Sequence, residues 1–157
     1  MRRSLGAIVM LGSLFLVACQ SGTADDGGDV EMLGGADQCG RDKAALEWIE
    51  APSELPGGVE SIAAASERAL GAGDPVLLVH LGQRPTPGYG AALQGAAIAD
   101  GRLQIDLEAQ TPDPGVMLAQ VITRPCVALR IPSTVSAKGL LVSMDVEGFP
   151  LTHRMPD

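Results

Sequence analysis

Three cysteines and two histidines carry most of the chemistry this 157-residue chain could perform, and their spacing limits what that chemistry is. Nucleophilic hydrolysis needs a Ser or Cys beside a base that a carboxylate orients. His80 and His153 are the candidate bases. His80 shares a strand face with Val76 and Leu78, the setting of a satisfied core or edge histidine, and His153 stands in a Pro-bounded tail. No Gly-x-Ser-x-Gly elbow and no phosphate-cradling glycine loop is present. Neither Cys-x-x-Cys nor His-Glu-x-x-His offers a metal site. Asp106 and Glu108 imitate a carboxylate pair, but alternation with Leu107 puts them on a wet strand face, and Asp113 in Thr111-Pro112-Asp113-Pro114-Gly115 is turn chemistry. The expectation is therefore no catalytic residue, no metal and no cofactor.

Cys19 is different. It ends Leu16-Val17-Ala18-Cys19, after basic Arg2-Arg3 and an uncharged run over residues 4–18, which is the three-part layout of an export signal. The run is shorter than the ~20 apolar residues a membrane-spanning helix needs. These residues resemble the lipid-attachment box of bacterial lipoproteins. That resemblance implies cleavage after residue 18, a diacylglyceryl thioether on Cys19 and an acylated amino terminus. Each buried methylene adds about 0.8 kcal/mol, so several chains together make a lasting anchor. Gln20, rather than Asp, after Cys19 implies sorting to the outer membrane.

Loss of Arg2 and Arg3 with the signal makes a chain of net charge −8 more acidic still. Nucleic acid is excluded as a ligand because a phosphate footprint needs clustered Lys and Arg. Trp48, Tyr89 and Phe149 are too few aromatics for base stacking or a sugar platform. Residues 19–38, rich in Gly and Asp and without either apolar period, read as a lipid-anchored disordered tether with a reach of about 25 Å. Residues 39–157 then form a single globular domain. After export Cys39 and Cys126 would meet oxidising conditions, and the prediction is that they pair; two unpaired buried cysteines are the alternative.

Residues 42–49 place Ala45, Trp48 and Ile49 at helical spacing, with Asp42 as N-cap and Pro52 as stop. Residues 61–70 put Ile62, Ala65, Ala69 and Leu70 on one stripe, with Gly71 offered as a left-handed cap. From Pro75 the period becomes two. Strands are predicted at residues 76–82, at 91–99 and 103–109 as a hairpin through Asp100-Gly101, around Val127, Leu129 and Ile131, and at 140–146. Cys126 falls on the less apolar face of its strand, where the segment around Cys39 can strap across the sheet. The fold class is α+β, mainly antiparallel β: a small sandwich or open barrel of five or six strands with one or two short N-terminal helices.

Gly82-Gln83-Arg84-Pro85-Thr86-Pro87-Gly88-Tyr89 resembles the Gly-x-Lys/Arg-Pro-Thr-Gly-Gly-Tyr signature of the C-terminal domain of the protease complex subunit PrcB family. A second block, Gln120-Val121-Ile122-Thr123-Arg124-Pro125 and on through Val127 to Ile131-Pro132, is similar to that family's second signature. The likeness spans about residues 75–146, and departs at Pro87, where Gly is usual, and at Cys126, where an aromatic is common. It implies a non-catalytic accessory lipoprotein that assists or tethers a secreted protease, with a protein partner and membrane contact through lipidated Cys19. Gly82, Pro85, Pro87 and Gly88 make a rigid loop, with Pro87 and Gly88 at the centre of a type II turn. Either Arg84, Thr86 and Tyr89 are a recognition surface, with Arg84 set to grip a carboxylate, or the loop is a structural turn whose Tyr plugs the sheet. Two other classes of reading stand beside this one: a small periplasmic hydrolase or metal-dependent enzyme without a recognisable motif, and a purely structural envelope role.

Overall fold

The computed structural model describes residues 30–39, 41–99, 102–135, 138, 140–146 and 149–154. The expected leader, Cys19 and residues 20–29 of the expected tether lie outside them. Sheet one contains β1 (Glu31–Ala36), β2 (Ala44–Ile49), β3 (Val76–Leu81) and β6 (Cys126–Arg130) in the order β1-β6-β3-β2. Sheet two contains β4 (Gly90–Ala99), β5 (Arg102–Gln110), β7 (Leu141–Val146) and β8 (Phe149–Arg154) in the order β4-β5-β7-β8. All pairings are antiparallel except β5 with β7. One α-helix, α1 (Glu60–Gly71), and a 3-10 turn at Pro52–Glu54 complete the elements among the described residues. The result is a mainly antiparallel β-sandwich carrying a helix.

Side-chain alternation explains the layering. Leu77, Val79 and Leu81 of β3 and Val127 and Leu129 of β6 meet Leu103, Ile105 and Leu107 of β5 in the core between the sheets. The opposite faces of β3 and β6, with Val76, Leu78, Cys126 and Ala128, pack under Ile62, Ala69 and Leu70 of α1 in a second core. A strand covered on both sides reads as a continuous apolar run, and every residue of β3 is buried. On β5 one face is wet, so Leu103, Ile105 and Leu107 alternate with exposed Gln104, Asp106 and Glu108.

Several elements differ from the sequence reading. Residues 44–49 are a strand, not a helix. Leu46 and Trp48 pack on the core between the sheets and Ile49 on the helix side, so period two suits the segment as well as helical spacing does. The edge of β3 offers it six ladder positions, whereas so short a helix has little stability of its own. The tether expected to run to Gln38 ends earlier, because residues 31–36 pair with β6. Its glycines permit close approach: a Cβ on Gly34 would lie 2.9 Å from Ile62 Cγ2, and one on Gly35 would lie 3.3 Å from the Cys126 carbonyl oxygen. Helix α1 runs through Gly71, and Gly73, with φ 89, takes the left-handed position instead. Asp74 N–H to Ala69 O and Gly73 N–H to Leu70 O, both 3.0 Å, close a Schellman motif around it. The 4/5 hairpin is present in the expected register, with Ala99 opposite Arg102; its Asp100-Gly101 turn lies outside the described residues. The tail read as loop contains β8, with His153 opposite Val142.

Strand directions give the sandwich two distinct ends. The segments 37–43, 82–89 and 111–125, joining β1 to β2, β3 to β4 and β5 to β6, gather at one end. The described chain enters at Val30 at the other, beside the pairing of Glu31 with Arg130.

Candidate functional site: a stapled loop cluster

The three segments at the first end are tied together mainly by backbone. Arg84 and Thr123 exchange hydrogen bonds of 2.8 and 2.9 Å, and Thr123 Oγ1 donates to the Thr86 carbonyl at 3.0 Å. Cys39 N–H donates to Arg124 O at 2.8 Å, Arg124 N–H to Asp37 O at 2.9 Å, and Gln83 N–H to Asp42 O at 3.0 Å. Arg124 also forms an ion pair with Asp42. A disulfide joins Cys39 to Cys126 across a sequence separation of 87 residues, with Cα atoms 5.7 Å apart. The predicted pairing is thus present, and it clamps segment 37–43 onto the first residue of β6. Both cysteines are buried beneath α1.

Positive φ angles are required in the signature loop. Gly82 has φ 79, and a Cβ there would meet the Ala44 nitrogen at 3.1 Å; Gly88 has φ 92 and sits against Pro112. The value at Gly88 is that of the third residue of a type II turn. Arg84 and Tyr89 come together: the guanidinium carbon lies 5.5 Å from the ring centroid, within cation–π range. Arg84 Nη2 donates to the Leu81 carbonyl at 3.0 Å, while its Nε is buried with no hydrogen-bond partner. Among the described residues Arg41, Arg124 and Arg130 each pair with a carboxylate, and Arg84 has none within ion-pair distance. Thr86 contributes its carbonyl to the scaffold.

Two features escaped the sequence reading. Segment 111–122 displays Val116, Met117, Val121 and Ile122, each more than half exposed and Met117 fully so; together they form an apolar rim. Beside the cluster a groove of about 800 Å³ runs between β1 and β4, with Gly88 and Tyr89 in its lining.

His80 lies below this end on the helix-facing side of β3, opposite Cys126. Its Nε2 is 2.9 Å from Glu47 Oε2, and that oxygen is 3.0 Å from Arg41 Nη2. Burial holds His80 below its ordinary pKa despite the opposing Glu47 carboxylate. Burial works against the Glu47 charge, yet the hydrogen bonds and charges of His80 and Arg41 outweigh it and leave the carboxyl below its usual range. His80 is therefore a core histidine satisfied at Nε2 alone, since its Nδ1 is buried without a hydrogen-bond partner among the described residues. Glu47 was hidden by the helical reading of its segment. Asp106 bonds to Ser143 and Glu108 to Gln94 on the open face of sheet two, as expected of solvated carboxylates. Among the described residues no group of three or more His, Cys, Asp or Glu is placed to hold a metal ion.

The two segments carrying Arg84, Tyr89 and Thr123 are the parts of the chain that comparison with known families can judge. Residues 76–132 match the PrcB C-terminal family model. The PrcB C-terminal match starts at the first residue of β3 and ends just past β6, so it takes in both signature loops and Cys126 but not Cys39. It bears out the resemblance drawn from the two signature blocks. No curated protein and no solved structure matches the chain.

Proposed function

We propose that this chain is a lipid-anchored, non-catalytic accessory subunit of the bacterial outer membrane that binds a secreted protein, a protease in keeping with the PrcB name. The observation that carries the reading is positional. The PrcB C-terminal match takes in two of the three segments of the loop cluster, 82–89 and 111–125, and the described chain begins at the opposite end. With acyl chains on Cys19, the residues between it and Val30 reach about 18 Å as a flexible chain. The domain then stands close to the lipid with Arg84, Tyr89 and the rim of segment 111–122 turned away from it. A rigid, disulfide-stapled cluster edged by exposed apolar side chains suits protein recognition, which favours pre-organised surfaces with an apolar centre. No helix among the described residues is long and apolar enough to cross a membrane.

Fatty-acid labelling of cells, followed by crosslinking in intact membranes from a photoreactive residue at position 117, tests both halves. The expected result is label on the wild type, none on Cys19→Ala, and a crosslinked secreted protease. Unlabelled protein in the soluble fraction would end the anchoring half. Turnover of a small substrate that disappears in His80→Ala would favour the hydrolase reading instead.

A further inference from the structure

The groove between the sheets has walls that are two sheet edges. β1 ends sheet one and β4 ends sheet two, and among the described residues neither has a second strand neighbour. Residues 90–93 of β4 pair regularly with Gln110, Ala109, Glu108 and Leu107 of β5, and the register then shifts between Leu93 and Gly95. A bulge twists the strand beyond it out of line, so the regular free edge is the stretch of about 13 Å next to Tyr89. On that edge alternate backbone N–H and C=O groups point away from β5 and need partners. The facing wall, residues 34–36 of β1, is less available because the Gly35 carbonyl already accepts Ser61 Oγ at 3.0 Å. The volume of about 800 Å³ falls in the range of about 300–1,000 Å³ typical of ligand sites. Asp37 is the one charged residue in the lining. Tyr89, at the loop end, carries on its ring the Arg84 guanidinium, which has no carboxylate within ion-pair distance among the described residues.

We propose that this groove binds an extended segment of a partner protein by strand addition to residues 90–93 of β4, with a carboxylate of the segment meeting Arg84. Backbone pairing supplies most of the affinity and the Arg84 fork selects an acidic residue or a free carboxyl terminus. The inference deepens the accessory-subunit reading and rests on it for the nature of the partner.

The test is selection of random octapeptides with free carboxyl termini on the purified protein, with the best peptide resynthesised in three forms. The unmodified peptide should shift amide resonances of β4 and β1 and slow hydrogen exchange along residues 90–93. Methylating its pairing backbone nitrogens should remove binding. Converting its carboxylates to amides should weaken binding about tenfold on the wild type, the size of one charge-assisted contact, and change little on Arg84→Gln. The proposal is overturned if no peptide is selected, if the methylated form binds as well as the unmodified one, or if protection of β4 depends on protein concentration and so reports a second copy. Displacement by a peptide of residues 20–29 would assign the groove to the chain's own tether and also overturn it. These outcomes are separate from the labelling and crosslinking above, which fail or succeed whatever the groove binds.

Discussion

Replacing Cys39 and Cys126 together by Ala probes the staple on which the cluster depends. With the two half-cystines 87 positions apart, the chain-entropy relation gives about 15 cal/mol/K of denatured-state entropy restored on cutting, or about 4.5 kcal/mol at 25 °C. That is a large share of the ~5–15 kcal/mol a domain of this size holds in reserve. Urea unfolding monitored by Trp48 fluorescence should show a lower midpoint and a steeper denaturant dependence, because the uncrosslinked chain exposes more surface when unfolded. Where the double variant stays folded, hydrogen exchange should quicken at Cys39, which loses its covalent hold on β6, and at Arg124, whose N–H reaches Asp37 O. A loss below about 1 kcal/mol with an unchanged slope would refute the loop-closure argument. Unaltered exchange in segment 37–43 would show that the backbone ties alone hold the cluster.

Acidification should weaken the fold in two stages. His80 is held below its ordinary value of 6.5, so the unfolded chain takes up that proton first and stability falls as the pH drops below 6.5. Glu47 is held below 4.5, so its contribution is complete above that pH and is lost further down. Melting temperatures from pH 8 to 3 should show the first limb flattened in His80→Gln and the second reduced, because His80 and Arg41 together hold the Glu47 carboxyl low. Gly58→Ala should cost about 2 kcal/mol or more in chemical unfolding, because φ is 84 and the new Cβ would fall 2.1 Å from the Gln38 carbonyl oxygen. Ile105→Ala, in the core between the sheets, should cost about 3 kcal/mol by the same assay. Met117→Asp should leave stability within about 0.5 kcal/mol while reducing crosslinking to the partner.

What the sequence discloses follows from which forces act locally. The wet-face alternation of β5, the apolar run of β3 and the stripe of α1 are written in neighbouring residues, and each is found where the pattern puts it. The pairing of Cys39 with Cys126 is legible because they are the two thiols that follow the expected leader and lipidation cysteine. β1 and β2 are not written that way. Gly34 and Gly35 carry little strand preference, and what orders them is the β6 ladder on one side and Ile62 above. Trp48 fits either period, and the vacant edge of β3 decides. The parallel alignment of β7 on β5 depends on the connection after β6, which no local period records. Of the candidate loop residues, Arg84 and Tyr89 are brought together as a pair. The groove beside them arises from two edges remote in sequence, so it could be seen only once the sheets were stacked.

The pairing of β1 with β6 sets an order of events. Glu31 finds its partner at Arg130, so the earliest strand to leave the ribosome must wait for one of the later ones, and contacts so remote in sequence form slowly. Until then β3 has β2 on one edge only, and Cys39 has no mate. A chain interrupted before residue 126 would therefore present a free thiol and uncovered aliphatic surface, marks by which quality-control proteases and thiol oxidants can tell unfinished copies from complete ones.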